Sequence, residues 1–282
     1  MIRDYQAALL AMYAEQMFAD PLVQEPPLHP NMSPLWNLVG YLTATDALFR
    51  REQAVLGRVL RAVGLGTRRV FYGMLVRSKV NVGEYACIVR GTDGAVEWAI
   101  DAEGLQRKHP IAGLVEDGFW GVYSSMSYRD PGGSDAPLMG SLQRRISTGR
   151  CTVIGHSLGA AIATYLACDL SEFLLAGRIA LRAVASPHPG DSAFADLVNF
   201  RVPDHTSFWY EPDRVPQVPP SLPGLSYSAL PNRKVYPASP EVTDNGFCPH
   251  HALCYAWLEG GADALAEAGS AADPYLSCLP GG

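Results

Sequence analysis

No stretch of this chain approaches the ~18 consecutive apolar residues that a membrane-spanning helix needs. Charge is also scarce. Asp, Glu, Lys and Arg make up 18% of the 282 residues, below the ~25% of an ordinary globular domain. The balance is acidic, with 22 Lys and Arg against 28 Asp and Glu and a net charge of −6. That argues against a nucleic-acid partner, which needs a basic face. None of the six cysteines lies in a C-x-x-C pair, so the sequence offers no pairing, and buried free thiols are the plain expectation in a domain of this size. Internal repeats and long low-complexity segments are also missing. A secretory leader would need a more basic start and a cleavage site. Here Arg3 is offset by Asp4, and Glu15 ends the apolar run. Cytoplasm is therefore the default expectation, with leaderless export left open.

What is present has α/β character. Leu9, Leu10, Tyr13 and Met17 fall at helical spacing. Pro26, Pro27 and Pro30 interrupt the chain. Residues from about 34 to 63 read as helical, with a stripe through Val55, Leu56, Val59, Leu60 and Val63. Strand-forming runs then appear near residues 70–76, 85–89, 150–154, 179–185, 205–210 and, weakly, 234–236. Helical segments fall near 110–127, 138–147, 158–175 and 249–258, and residues 128–137 read as a loop. Strands alternating with helices predict a mostly parallel central sheet with helices on both faces. No composition shift marks a boundary, so a single domain is expected: residues 1–65 as an N-terminal helical layer and 66–282 as the core.

The most informative stretch is Thr152 to Ala160, which contains G-x-S-x-G as Gly155, Ser157 and Gly159. Chance alone produces that pattern in roughly one chain of this length in ten. Its context adds the weight: an apolar strand leads in and an apolar helix leads out. A sharp strand-to-helix turn lifts a serine hydroxyl out of the sheet edge. The helix N-terminus there favours developing negative charge.

With these residues in view, the chain resembles the class 3 lipases, the family that includes the fungal triacylglycerol lipases. Ile88-Val89-Arg90-Gly91-Thr92, with Glu97-Trp98 and Asp101 following, is similar to the family's strand-end R-G-[ST] motif and its downstream tryptophan. Val115 to Phe119 resembles its V-x-x-G-F segment. Gly155 to Gly159 resembles its elbow, with Ala160 in place of a second glycine. Ser186-Pro187 after Ala183-Val184-Ala185 resembles its A-S-P turn, and Asp213 to Pro216 its D-x-V-P segment. The resemblance covers about residues 70 to 258. It implies the α/β-hydrolase fold and a serine esterase that needs no cofactor and no metal.

A serine needs a base, usually a histidine braced by a carboxylate. In this fold the chain order is Ser, Asp or Glu, then His. Asp213 follows the 205–210 strand. Only His250 and His251 come after it. His251-Ala252-Leu253 matches the family's H-x-L, so the expected triad is Ser157, Asp213 and His251, with His250 the alternative. Leu158 and Thr92 are the expected oxyanion donors. Residues 93–100 are a candidate lid, with Trp98 on its inner face, and Trp98 and His156 are candidate substrate contacts. Phe208, Trp209 and Leu222 could line an acyl groove or simply pack in the core. Cys248, His250, His251 and Cys254 have metal-ligand chemistry but no second ligand pair. The expected partner is a lipid or small ester, with transient contact to a lipid surface. Phospholipase A, aromatic-acid (feruloyl-type) esterase and a non-catalytic binding module are the alternatives on the same fold.

Overall fold

The computed structural model describes residues 2–20, 23–45, 69–91, 105–175 and 177–279. Its centre is a nine-stranded sheet. In chain order the strands are β1 (Trp36–Thr45), β2 (Arg69–Ser78), β3 (Glu84–Val89), β6 (Ser127–Arg129), β7 (Asp135–Pro137), β8 (Arg150–His156), β9 (Ile179–Val184), β10 (Asp204–Tyr210) and β11 (Arg233–Tyr236). A separate hairpin pairs β4 (Gln106–Lys108) with β5 (Leu114–Glu116). Across the sheet the order is β11-β10-β9-β8-β3-β2-β1-β6-β7. From β3 to β11 the neighbours are parallel; from β3 to β7 they are antiparallel.

Helices cover both faces. α1 (Asp4–Met17) and α6 (Ala252–Ala268) pack on one side. α2 (Asp117–Ser124), α3 (Leu138–Ile146), α4 (Leu158–Leu170) and α5 (Ser192–Arg201) pack on the other. Side chains of a strand alternate between faces, so each strand feeds two cores. Ile88 and Ile154 point to the α1–α6 side, while Cys87, Val89 and Val153 point to the α4 side. In α1, Ala7, Ala11 and Ala14 are fully buried at helical spacing, and their small side chains let the helix sit close under the sheet.

Several sequence expectations change here. Residues 36–45 form a strand rather than part of a helix, so the N-terminal layer is not wholly helical. Most of this strand is buried, with Tyr41 in one core and Leu42 in the other. A strand covered on both faces carries a nearly continuous apolar run, which periodicity does not separate from a buried helix. The stripe at 55–63 lies outside the described residues. The segment 110–127 splits into β5 and α2, and the supposed loop at 128–137 takes part in the β6–β7 hairpin. Cys248 and Cys278 form a disulfide, while Cys87, Cys151, Cys168 and Cys254 are buried free thiols. Among the described residues no helix is long and apolar enough to cross a membrane.

Candidate active site

β8 lies inside the parallel half of the sheet, flanked by β3 and β9. At its C-terminal end the chain turns at once into α4, and Ser157 stands at the turn with φ 56° and ψ −132°. Positive φ is costly for a residue with a Cβ; here it aims the hydroxyl away from both elements. The turn closes only because its flanks are glycine. A Cβ on Gly155 would collide with the backbone carbonyl of Gly159, and one on Gly159 with the carbonyls of Val89 and Arg90. Ala160 tolerates its methyl and is fully buried. The Ser157 N–H donates to Val184 O at 2.9 Å, carrying the β8–β9 ladder up to the hydroxyl-bearing residue.

Asp213 follows β10 at the same edge. Its carboxylate is 2% exposed and accepts three hydrogen bonds: from His250 Nδ1 at 2.9 Å, from the Tyr255 hydroxyl at 2.7 Å and from Val215 N–H at 3.0 Å. His250 Nε2 lies 2.9 Å from Ser157 Oγ. These contacts set the tautomer. A carboxylate only accepts, so Nδ1 carries the proton and Nε2 presents its lone pair to the serine hydroxyl.

The histidine that the structure brings to Ser157 is therefore His250, not His251. His251 is the N-cap of α6: its Nδ1 accepts the Leu253 N–H at 3.1 Å, and its ring lies 3.6 Å from that of Tyr275. The H-x-L pattern marks a helix start, not the base. Burial brings the His251 imidazole down to about 4. The Tyr255 hydroxyl reaches Asp213 while the residue five positions before it reaches Ser157, a relation that spacing to Tyr255 does not reveal in the sequence.

His156 is also corrected. It is 4% exposed and both ring nitrogens are occupied, Nδ1 by Glu15 Oε1 at 2.6 Å and Nε2 by the carbonyl of His250 at 2.7 Å. It lies behind the triad rather than against a substrate. Glu15 was not anticipated, because a lone acid ending a helix 142 positions before Ser157 carries no signal in sequence. Leu158 is the first residue of α4, so its N–H is one of four that the helix leaves without an internal partner. Thr92, Trp98 and the 93–100 lid segment lie outside the described residues. Phe208 is core, and Trp209 donates from Nε1 to the Asp213 carbonyl at 3.1 Å, while Leu222 is exposed. Of the metal-ligand candidates, Cys248 is in the disulfide and His250 and His251 have the partners above, while Cys254 is a buried free thiol.

Fold and site together define a class: an α/β-hydrolase with a nucleophile elbow and a Ser-His-Asp constellation in the chain order of that class. Residues 86–222 match the family model described as lipase (class 3). The segment includes Ser157 and Asp213 and ends before His250. Among solved structures the chain is similar to M37 lipase at 13% identity and TM-score 0.61, with 93% of this chain and 92% of that one covered. It is similar to a Rhizomucor miehei lipase propeptide complex at 18% identity and TM-score 0.57, covering 93% and 76%. It is also similar to a triacylglycerol lipase whose catalytic centre is described as a serine protease triad, at 17% identity and TM-score 0.55, covering 79% and 74%. No curated protein matches the sequence.

Proposed function

We propose that this protein is a serine hydrolase that cleaves carboxylic esters of lipids, with triacylglycerol or shorter acyl esters as substrates, through an acyl-enzyme. The observation that carries this reading is the buried line of contacts from Ser157 Oγ to His250 to Asp213, each 2.9 Å, at a strained elbow. The class 3 lipase match supports the ester chemistry, and the likeness to a triacylglycerol lipase supports the lipid substrate.

In the proposed reaction His250 Nε2 takes the proton of Ser157 Oγ as the oxygen attacks the ester carbonyl. Asp213 holds Nδ1–H and stabilises the imidazolium that forms. The oxyanion is held by the Leu158 N–H, with Thr92 as the second donor. Collapse breaks the carbonyl–alkoxy bond, and His250 returns the proton to the leaving alcohol. A water, deprotonated by His250, then attacks the acyl-enzyme and releases the carboxylic acid and Ser157.

The test is hydrolysis of p-nitrophenyl esters, triglyceride and phospholipid side by side, with labelling by a fluorophosphonate. Wild type should hydrolyse esters and take the label. Ser157→Ala should lose both, with activity down by about 10³-fold or more. An alanine variant that keeps its activity would refute the assignment. A protein that cleaves phospholipid faster than triglyceride would move the substrate to the phospholipase reading.

A further inference from the structure

α1 reaches the site from the far end of the sequence. It is pinned along its length: Asp4 pairs with Arg182 at 3.0 Å, and the Tyr5 hydroxyl and Gln6 donate to Glu267 at 2.9 and 2.8 Å. Lower down, the Tyr13 hydroxyl reaches the Glu267 carbonyl, and Gln16 donates to Ala271 O at 2.8 Å. A helix held at both ends carries Glu15 to a defined place under the elbow. There is no slack around it. A Cβ on Gly91, at the end of β3, would approach Glu15 Oε1 to 2.5 Å and His156 Nδ1 to 3.2 Å.

The contacts of His156 then have one reading at Nε2. The carbonyl of His250 can only accept, so Nε2 carries a proton and donates it. The ionised Glu15 carboxylate can only accept, so Nδ1 donates to it as well. The carbonyl held in this way belongs to the residue whose ring faces Ser157. It closes the short 3-10 turn Cys248–His250, directly before α6. The backbone of the base is therefore tied to the elbow through the side chain that precedes the nucleophile.

We propose that Glu15 and His156 are a positioning pair: Glu15 orients the imidazole of His156, whose Nε2–H holds the His250 main chain so that its ring meets Ser157. The proposal rests on the serine-hydrolase reading for its catalytic consequence, but its geometry stands apart from that reading. Glu15, His250, His251 and Asp213 are the ionisable groups whose charge bears on His156 or on its Glu15 partner, and Tyr255 lies beside its ring and donates to Asp213. Burial by itself would depress the His156 imidazole. The Glu15 charge and hydrogen bond, with the His250 carbonyl, overcome it and hold His156 above the ordinary histidine range.

The pair is tested with Glu15→Gln, Glu15→Ala and His156→Phe, all assayed on a p-nitrophenyl ester and checked by thermal unfolding. A displaced base costs turnover rather than affinity, and a 1 Å misplacement can cost about a hundredfold. Glu15→Gln can still donate to Nδ1 and should stay within about threefold of wild type. Glu15→Ala should lose about tenfold in kcat and His156→Phe about a hundredfold, with KM moved less than about twofold. Folded alanine and phenylalanine variants with wild-type kcat overturn the proposal. A second measurement needs no variant. Imidazole 15N NMR of the wild-type protein should find His156 Nε2 protonated and protected from exchange across the pH range in which the protein is folded. An unprotonated His156 Nε2 overturns it, even if the variants do not fold. A wild type inactive on every ester would defeat the hydrolase reading while leaving this NMR result to judge the pair.

Discussion

His250 closes a 3-10 turn and His251 opens α6, and that one-residue difference in backbone aims the two rings at different partners. His250→Ala should abolish ester hydrolysis. His251→Ala should keep activity within a few-fold and lose about 1 kcal/mol of stability, the usual worth of an N-cap; denaturant unfolding beside the assay checks both. Loss of activity in the second variant with retention in the first would reverse the assignment. The buried His251 also shapes acid stability. Its imidazole is held at about 4 against an unfolded value near 6.5. Between those values the unfolded chain binds a proton that the native state refuses, so stability falls as pH drops from 6.5 to 4, by up to about 3 kcal/mol from this residue. His156 is held above the ordinary range, so its contribution is fully present below 6.5 and adds no slope in that window. Burial also holds His29, His109, His188 and His205 down. In His251→Asn, where asparagine can still cap the helix, Tm against pH should therefore be shallower on the acid side but not flat. An unchanged slope would show that His251 is not buried as a neutral ring.

At the scale of elements, the site depends on four segments meeting at the C-terminal edge of the parallel strands: the ends of β8 and β10, the turn before α6, and the last turn of α1. The turn before α6 is short and irregular, and it is stapled. Cys248, two positions before His250, is bonded to Cys278 across 30 residues. Closing a loop of that length stabilises a fold by about 3–4 kcal/mol in the chain-entropy account. The double variant Cys248→Ser, Cys278→Ser should unfold at lower denaturant by an amount in that range, and its kcat should fall more than its KM changes. A double variant as stable as wild type would mean that the packing of α6 alone holds the turn. Much at this scale was legible in the sequence. β8, the elbow, α4 and the strand before Asp213 were placed by apolar runs, glycine spacing and turn chemistry, because those signals are local. β1 was not, because a strand buried on both faces has no alternation to betray it. The disulfide was not, because six cysteines allow 15 pairings.

For the whole molecule, two apolar cores lie on opposite faces of one sheet, and the same strands serve both. Neither core can be lost without exposing the other. Unfolding should therefore be one cooperative transition, coincident by tryptophan fluorescence and far-UV circular dichroism; two separated transitions would divide the chain into independent units. The order Ser157, Asp213, then a histidine near residue 250 was determined by the sequence itself, as was the elbow that strains the serine. Those features are written in neighbouring residues, and a strand-glycine-serine-glycine-helix segment has few ways to fold. Only the tertiary structure chose between two adjacent histidines, because the choice depends on which backbone conformation each adopts where the last helix begins. It alone brought Glu15 beneath His156, since a contact between residues 141 positions apart arises from how α1 packs against the sheet and leaves no trace in either stretch of chain.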